Sequence, residues 1–193
     1  MLRLSLLMSC ILFFCSCNQE MQMTTTDKTV KAGSSTKFKG SEIDLISGSL
    51  EVGDNINKFI EDDFNIMIDD VSVINIVPSI DTAICEEQTH ILGESDKLSN
   101  KVDKYVISRD LPMAQDRFAR EAHLEDIIYL SDYKTGSFGD HTGLLMKGSL
   151  LLARAVIVTN ADGVVKYMQV TPEVSHLPDM GKAFSVANKL VKN

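Results

Sequence analysis

The stretch Val71-Ser72-Val73-Ile74-Asn75-Ile76-Val77-Pro78-Ser79-Ile80-Asp81-Thr82-Ala83-Ile84-Cys85-Glu86-Glu87-Gln88-Thr89-His90-Ile91-Leu92 changes period along its length. Its first seven residues form an apolar, largely β-branched run that reads as a buried strand, and from Cys85 onward the spacing is helical. A strand, a loop and a helix therefore follow one another, with Cys85 in the first helical turn. The unpaired N–H groups and the positive end of the helix dipole favour an anion there, hence a thiolate. Thr82 lies one turn earlier, where its hydroxyl reaches both the sulfur and an oxygen approaching it. Pro78 has no N–H and a fixed φ, which suits a rigid wall that limits water near the sulfur. Glu86 and Glu87 oppose a thiolate beside them, but exposed carboxylates are screened. On these residues alone, a buried structural cysteine beside a helix cap fits the same positions.

Outward from this unit the pattern alternates. A strand over 104–108, a helix over 112–122 and a strand over 127–130 precede an irregular stretch with a helical turn near 138–141. Two strands, 153–159 and 164–170, flank Asn160-Ala161-Asp162-Gly163, whose Asp-Gly is a hairpin signal. A last helix covers 179–191. Upstream, Phe38–Leu45 and Gly48–Val52 read as a hairpin, and Gly53-Asp54 with Phe59–Phe64 as a loop leading to a short strand. Asp62-Asp63 and Asp69-Asp70 lack the spacing of a calcium loop and read as exposed turns. Strands alternating with helices, then a hairpin and a helix, predict one α/β domain of thioredoxin-like fold, with a central mixed β-sheet, helices on both faces and an N-terminal β-hairpin.

Arg154 is the second residue singled out. It stands between Leu151-Leu152-Ala153 and Ala155-Val156-Ile157-Val158 at the start of a strand, where a guanidinium costs free energy unless an anion is near.

Pro78, Thr82 and Cys85 satisfy Pro-x-x-x-Thr-x-x-Cys, the signature around the reactive cysteine of the peroxiredoxins. The longer string Asn75–Cys85, with Ser108-Arg109-Asp110-Leu111-Pro112-Met113-Ala114-Gln115-Asp116-Arg117-Phe118 and Leu152–Val158, resembles the bacterial thiol peroxidase branch. The resemblance runs from about Thr36 to Val191. It implies that Cys85 is the peroxidatic nucleophile, that Thr82 and Arg154 stabilise the thiolate and the peroxide oxygens, and that Pro78 shields the site. It also implies a hydroperoxide substrate, a thioredoxin-type reductant and a homodimer, with no cofactor. One departure matters. Many thiol peroxidases carry a resolving cysteine directly after the Arg-Phe pair, and here that position is Ala119. The resemblance then implies single-cysteine chemistry, recycled by an external thiol, whether thioredoxin, a thioredoxin-like protein or a small thiol, or else through a disulfide to another protein or to a second copy of Cys85.

The N-terminus has a character of its own. Residues 1–17 combine one early positive charge with an apolar run too short to span a bilayer, ending Phe14-Cys15-Ser16-Cys17 before polar Asn18-Gln19-Glu20. This resembles a bacterial lipobox with Cys17 as the lipidated first mature residue, and predicts an exported, membrane-anchored lipoprotein facing the periplasm. Ordinary secretion as a soluble periplasmic protein is the alternative. Residues 18–37, polar and without period, read as a flexible linker, so the domain is expected over 38–193. Of the four cysteines, Cys10, Cys15 and Cys17 fall in this leader, which leaves Cys85 as the exported domain's one thiol. A lone thiol in an oxidising compartment is either buried and inert or kept for reactivity.

Composition excludes other classes. A net charge of −8 over 193 residues argues against a nucleic-acid surface, which needs clustered Lys and Arg. His90, His123, His141 and His176 have no metal-ligand spacing. No Cys-x-x-Cys pair, phosphate-cradling glycine loop or Ser-His-Asp arrangement is present. Three classes remain: a peroxide-reducing enzyme, a peroxide sensor or relay passing oxidation of Cys85 to a partner protein, and a non-catalytic lipoprotein scaffold.

Overall fold

The computed structural model describes residues 23–46 and 48–192. The leader, Cys17 and residues 18–22 of the expected linker lie outside the described residues. Among the described residues no helix is long and apolar enough to cross a membrane. The elements in chain order are β1 (Thr25–Thr26), β2 (Ser35–Phe38), β3 (Ser41–Asp44), α1 (Asn57–Phe64), β4 (Ser72–Ile76), α2 (Ala83–Glu94) and β5 (Asp103–Ser108). They continue with α3 (Pro112–Glu121), β6 (Ile128–Ser131), α4 (Ser137–Thr142), β7 (Ala155–Thr159), β8 (Val165–Val170), β9 (Leu177–Pro178) and α5 (Met180–Val191).

The strand read from Val71–Val77 becomes the middle of a five-stranded sheet of order β6-β5-β4-β7-β8. β4 pairs parallel with β5, β5 parallel with β6, and β7 antiparallel with both β4 and β8, so the sheet is mixed. All five residues of β4 are buried, because alternate side chains enter two different cores. On one face Ile74, Ile76, Ile107 and Ile157 pack with Ile56 and Ile60 of the α1 segment and Phe138 of α4. On the other, Val73, Val106, Val156 and Val158 pack with Cys85 and Leu92 of α2 and Phe184 and Ala187 of α5. Fully burying each such side chain contributes about 1.5–3 kcal/mol. The expected thioredoxin-like fold, with helices on both faces of a mixed sheet, is what the chain forms.

Three expectations upstream of the sheet are corrected. The linker predicted through Lys37 is, from residue 23 on, part of the domain. β1 pairs parallel with β9, Val30 N–H donates to Val170 O at 3.0 Å, and the buried Thr36 hydroxyl donates to Thr171 O at 2.8 Å. These ties use backbone groups and hydroxyls, so the polar, periodless composition does not reveal them. The hairpin is shifted: β2 and β3 pair across Lys39-Gly40, both at positive φ (51° and 80°), as the type I′ form of a two-residue turn requires. Its expected second arm at 48–52 is instead a loop in which Gly48 packs so closely on Gly143 that a Cβ would lie 2.1 Å from the Gly143 nitrogen. Finally, 59–64 is helix α1 rather than loop and strand. Ile56, Ile60 and Phe64 recur every four residues on its inner side, and Asn65 ends it in the left-handed conformation. Asp62-Asp63 is thereby helical rather than a turn, whereas Asp69-Asp70 is exposed in a loop as read.

Candidate active site

Helix α2 begins where the extended Thr82 (φ −136°, ψ 140°) caps it, with Glu86 N–H donating to Thr82 O at 2.9 Å. A threonine at this position commonly turns its hydroxyl onto the helix N–H groups. Here Thr82 makes no such bond. Its Oγ1 lies 3.0 Å from Cys85 Sγ and 3.2 Å from Ser79 O. The hydroxyl has one hydrogen, so it donates to the carbonyl or to an anionic sulfur.

Arg154, placed just before β7, approaches the sulfur from the sheet. Its Nη2 donates to Cys85 Sγ at 3.2 Å, Nη1 to Gln88 Oε1 at 2.7 Å and, more distantly, to Ile84 O at 3.4 Å, and Nε to Val174 O at 2.7 Å. The side chain is only 2% exposed and Cys85 is fully buried. A buried guanidinium with its fork held by three acceptors and one N–H at the sulfur stabilises negative charge on that atom.

Gln88 went unrecognised in the sequence. It is fully buried, receives Arg154 at Oε1, and donates from Nε2 to Ala155 O at 3.0 Å. Its backbone carbonyl accepts from Asn75 Nδ2 at 2.9 Å. The available signal was its place three residues after Cys85, on the inward stripe Cys85, Gln88, Thr89 and Leu92 of α2.

Thr82 and Arg154, the two residues that meet the sulfur, both line a cavity of about 360 Å³. Pro78, Ser79, Ala83 and Ile84 line it at the start of α2, together with Met146, Leu151 and Val174. The hairpin adds Phe38 and Ile43, so the wall is largely apolar. Glu173 fastens the hairpin turn beside this wall, accepting Lys39 N–H at 3.0 Å, Gly40 N–H at 2.9 Å and the Ser175 hydroxyl at 2.8 Å. Burial works against its charge, but the hydrogen bonds from Gly40, Ser175 and Lys39 outweigh that and hold its pKa below the ordinary carboxylate value.

Thr82 and Arg154 thus meet at the Cys85 sulfur, and with Pro78 they line one cavity. Glu86 and Glu87 are exposed, and Ala119 is buried on α3. Cys85 is a free thiol. Cys17 lies outside the described residues.

A cysteine at the start of a helix, met by an arginine from the sheet of a thioredoxin-like domain, defines a thiol redox protein, and comparison with known proteins narrows the class. The Redoxin family matches residues 65–184, more than half of the chain. The thiol peroxidase of Halalkalibacterium halodurans is 37% identical over 160 residues, 79% of this chain and 96% of its own length. That of Bacillus subtilis is 34% identical over 162 residues, covering 80% and 97%. Among solved structures, a peroxiredoxin-like protein from Aquifex aeolicus matches with a TM-score of 0.69 at 30% identity, over 81% of this chain and 96% of that one. The thiol peroxidase from Chromobacterium violaceum shares the fold, with a TM-score of 0.63 at 17% identity over 82% and 95% of the two chains. The chain belongs to the Redoxin family, in its thiol peroxidase branch.

Proposed function

We propose that the protein is a thiol-dependent peroxidase that reduces hydrogen peroxide and organic hydroperoxides through Cys85 and is recycled by an external thiol. The observation that carries this reading is the convergence of Thr82 Oγ1 and Arg154 Nη2 on Cys85 Sγ, at 3.0 and 3.2 Å, beside a cavity. The thiolate attacks one peroxide oxygen. An S–O bond forms, the O–O bond breaks, and the departing oxygen takes a proton to leave as water or an alcohol. Arg154 and Thr82 stabilise the charge that develops on that oxygen, and Pro78 walls the site. Cys85 is left as sulfenic acid. A first external thiol displaces water from it to give a mixed disulfide, and a second releases the Cys85 thiol and a disulfide.

An external thiol is needed because Ala119 stands where a resolving cysteine would be. A thioredoxin-type protein as reductant and pairing as a homodimer enter the reading from the family. So does preference for turnover over a sensor or relay, since the named relatives are peroxidases. Anchoring through lipidated Cys17 on the periplasmic side rests on the lipobox-like Phe14-Cys15-Ser16-Cys17. Mass analysis of the membrane fraction of a bacterial host tests it, with Cys17→Ser expected to abolish the acyl mass and the anchoring.

The deciding experiment is peroxide consumption by the full chain with dithiothreitol as reductant, with Cys85→Ser alongside. Catalytic turnover with hydrogen peroxide and cumene hydroperoxide, lost in the variant, is expected. Reaction no faster than that of a free thiol would remove the reading.

A further inference from the structure

We propose that Asp110 is a positioning residue for the peroxide reaction, holding the loop between β4 and α2 so that the Thr82 hydroxyl meets Cys85 Sγ. The inference rests on the peroxidase reading and adds to it a residue that touches neither the sulfur nor the cavity.

Asp110 follows β5 and precedes α3. Its Oδ1 accepts the Ser79 hydroxyl at 2.7 Å, and Oδ2 accepts Ile80 N–H at 2.8 Å and the Ser108 hydroxyl at 2.6 Å. The residue is itself held in place. Its carbonyl accepts from the Ser131 hydroxyl at the end of β6, and the Ser108 hydroxyl that it binds accepts from Gln115 Nε2 of α3 at 2.9 Å. Gln115 in turn donates to Leu130 O at 3.0 Å. Hydrogen bonds therefore run from α3 and two strands, through one carboxylate, into residues 79 and 80.

Elsewhere the loop is held by the buried side chains of Val77 and Ile80 and by few polar contacts. Val77 N–H donates to Ile107 O, Arg117 Nη2 of α3 lies 4.0 Å from the exposed Asp81 Oδ1, and the other polar ties, Asp81 N–H to the Ser79 hydroxyl and Thr82 to Ser79 O, stay within the loop. Among the described residues, the Asp110 carboxylate is the group outside the loop that hydrogen-bonds Ser79 and Ile80. Thr82, two residues further on, is extended and must keep its hydroxyl at the sulfur. Three donors on one carboxylate need an acceptor-only, charged group. Asparagine has the same shape, but its N–H₂ would donate where a serine hydroxyl now donates, so that hydroxyl must turn and the charge-assisted bond is lost.

Position and field predict opposite signs. A carboxylate's charge near the site disfavours a thiolate. If Asp110 acted through its field, removing the charge would speed oxidation of Cys85. If it acts by placing Thr82, removal slows it.

The test uses the full chain, reading Cys85 alone by quenched-flow mass spectrometry of its peptide, with hydrogen peroxide and, separately, iodoacetamide. Asp110→Asn should oxidise roughly 10- to 100-fold more slowly than wild type, while alkylation, which uses no oxygen-stabilising donor, changes by less than about 3-fold. Ser79→Ala removes one donor and leaves the charge. It should slow the peroxide reaction by roughly 3-fold or more, and Asp110→Asn added to it should slow the reaction by less than it does alone. An Asp110→Asn rate equal to or above wild type, or a loss shared equally by alkylation, overturns the proposal. If Asp110→Asn does not fold, Ser79→Ala decides it: a peroxide-specific slowing supports the assignment and an unchanged rate overturns it. A wild-type rate equal to that of a free thiol removes the peroxidase reading and the assignment with it.

Discussion

Arg154 Nη2 lies 3.2 Å from Cys85 Sγ, although the two residues are 69 positions apart. The arginine holds this place because Gln88 and Val174 accept two of its other donors. Replacing it with methionine keeps much of the volume and removes every donor. Oxidation of Cys85 by hydrogen peroxide should slow by at least ~10-fold, since a hydrogen bond to a charged group amounts to about 1.5–3 kcal/mol and ~1.4 kcal/mol is a decade in rate. Stopped-flow or quenched-flow rates check this, and equal rates would take Arg154 out of the mechanism. Arg154→Lys should recover little, because an ammonium cannot span the same acceptors.

Thr82 separates a hydroxyl effect from a packing effect. Thr82→Val is nearly isosteric and should slow oxidation by roughly 10-fold, whereas Thr82→Ser keeps the donor and should stay within roughly 3-fold of wild type. If serine and valine behave alike, the hydroxyl is not what the site uses.

Gln88→Ala leaves Arg154 Nη1 with only a distant carbonyl acceptor and Ala155 O without its Gln88 partner, both in a buried region. Chemical denaturation should show a loss of about 1–3 kcal/mol. A peroxide rate reduced by roughly 10-fold in the protein that remains folded would show that orientation of Arg154 depends on Gln88. A variant as stable and as fast as wild type contradicts both.

Glu173 has a folded-state pKa below its ordinary value, so its contribution is present above the unfolded pKa and disappears as pH falls through the folded one. Glu173→Gln should therefore be less stable than wild type at pH 7, by roughly 1 kcal/mol for a partly exposed group. The two proteins should converge as the solution is acidified below the ordinary carboxylate range. Melting temperatures measured from pH 7 down to pH 3 test the sign. A difference that grows toward acid would be the wrong direction.

With Ala119 in place of a resolving thiol, peroxide in excess should carry the Cys85 peptide to sulfinic acid without an intermediate disulfide inside the domain. Added dithiothreitol should suppress that product. A Cys85 peptide linked within the same domain would be incompatible with the sequence.

The part of the site carried by short-range pattern was legible early. A strand-to-helix change of period across Val71–Leu92 placed Cys85 in the first helical turn, and an arginine in an apolar run marked Arg154 as a group needing an anion. The sheet strands were legible for the same reason, since two buried faces demand apolar β-branched runs and Asp162-Gly163 demands a turn. Helix α1 and the hairpin were misplaced because α1 shows its period only when Ile56 is included with Ile60 and Phe64, and the Lys39-Gly40 turn has a lysine where glycine or asparagine would have signalled it.

By itself, the sequence determined a cysteine at a helix start, the two-faced core and an alanine at position 119, because each depends on residue identity or on neighbours within about one turn. Only the tertiary structure decided that Gln88 and Val174 aim Arg154, that residues 23–37 are docked on the domain, and that Asp110 grips the loop before Cys85. Those depend on hydrogen bonds between distant backbone and polar groups. Such bonds have strict geometry but leave no period in the chain, so they become visible only once the sheet has brought their partners within about 3 Å.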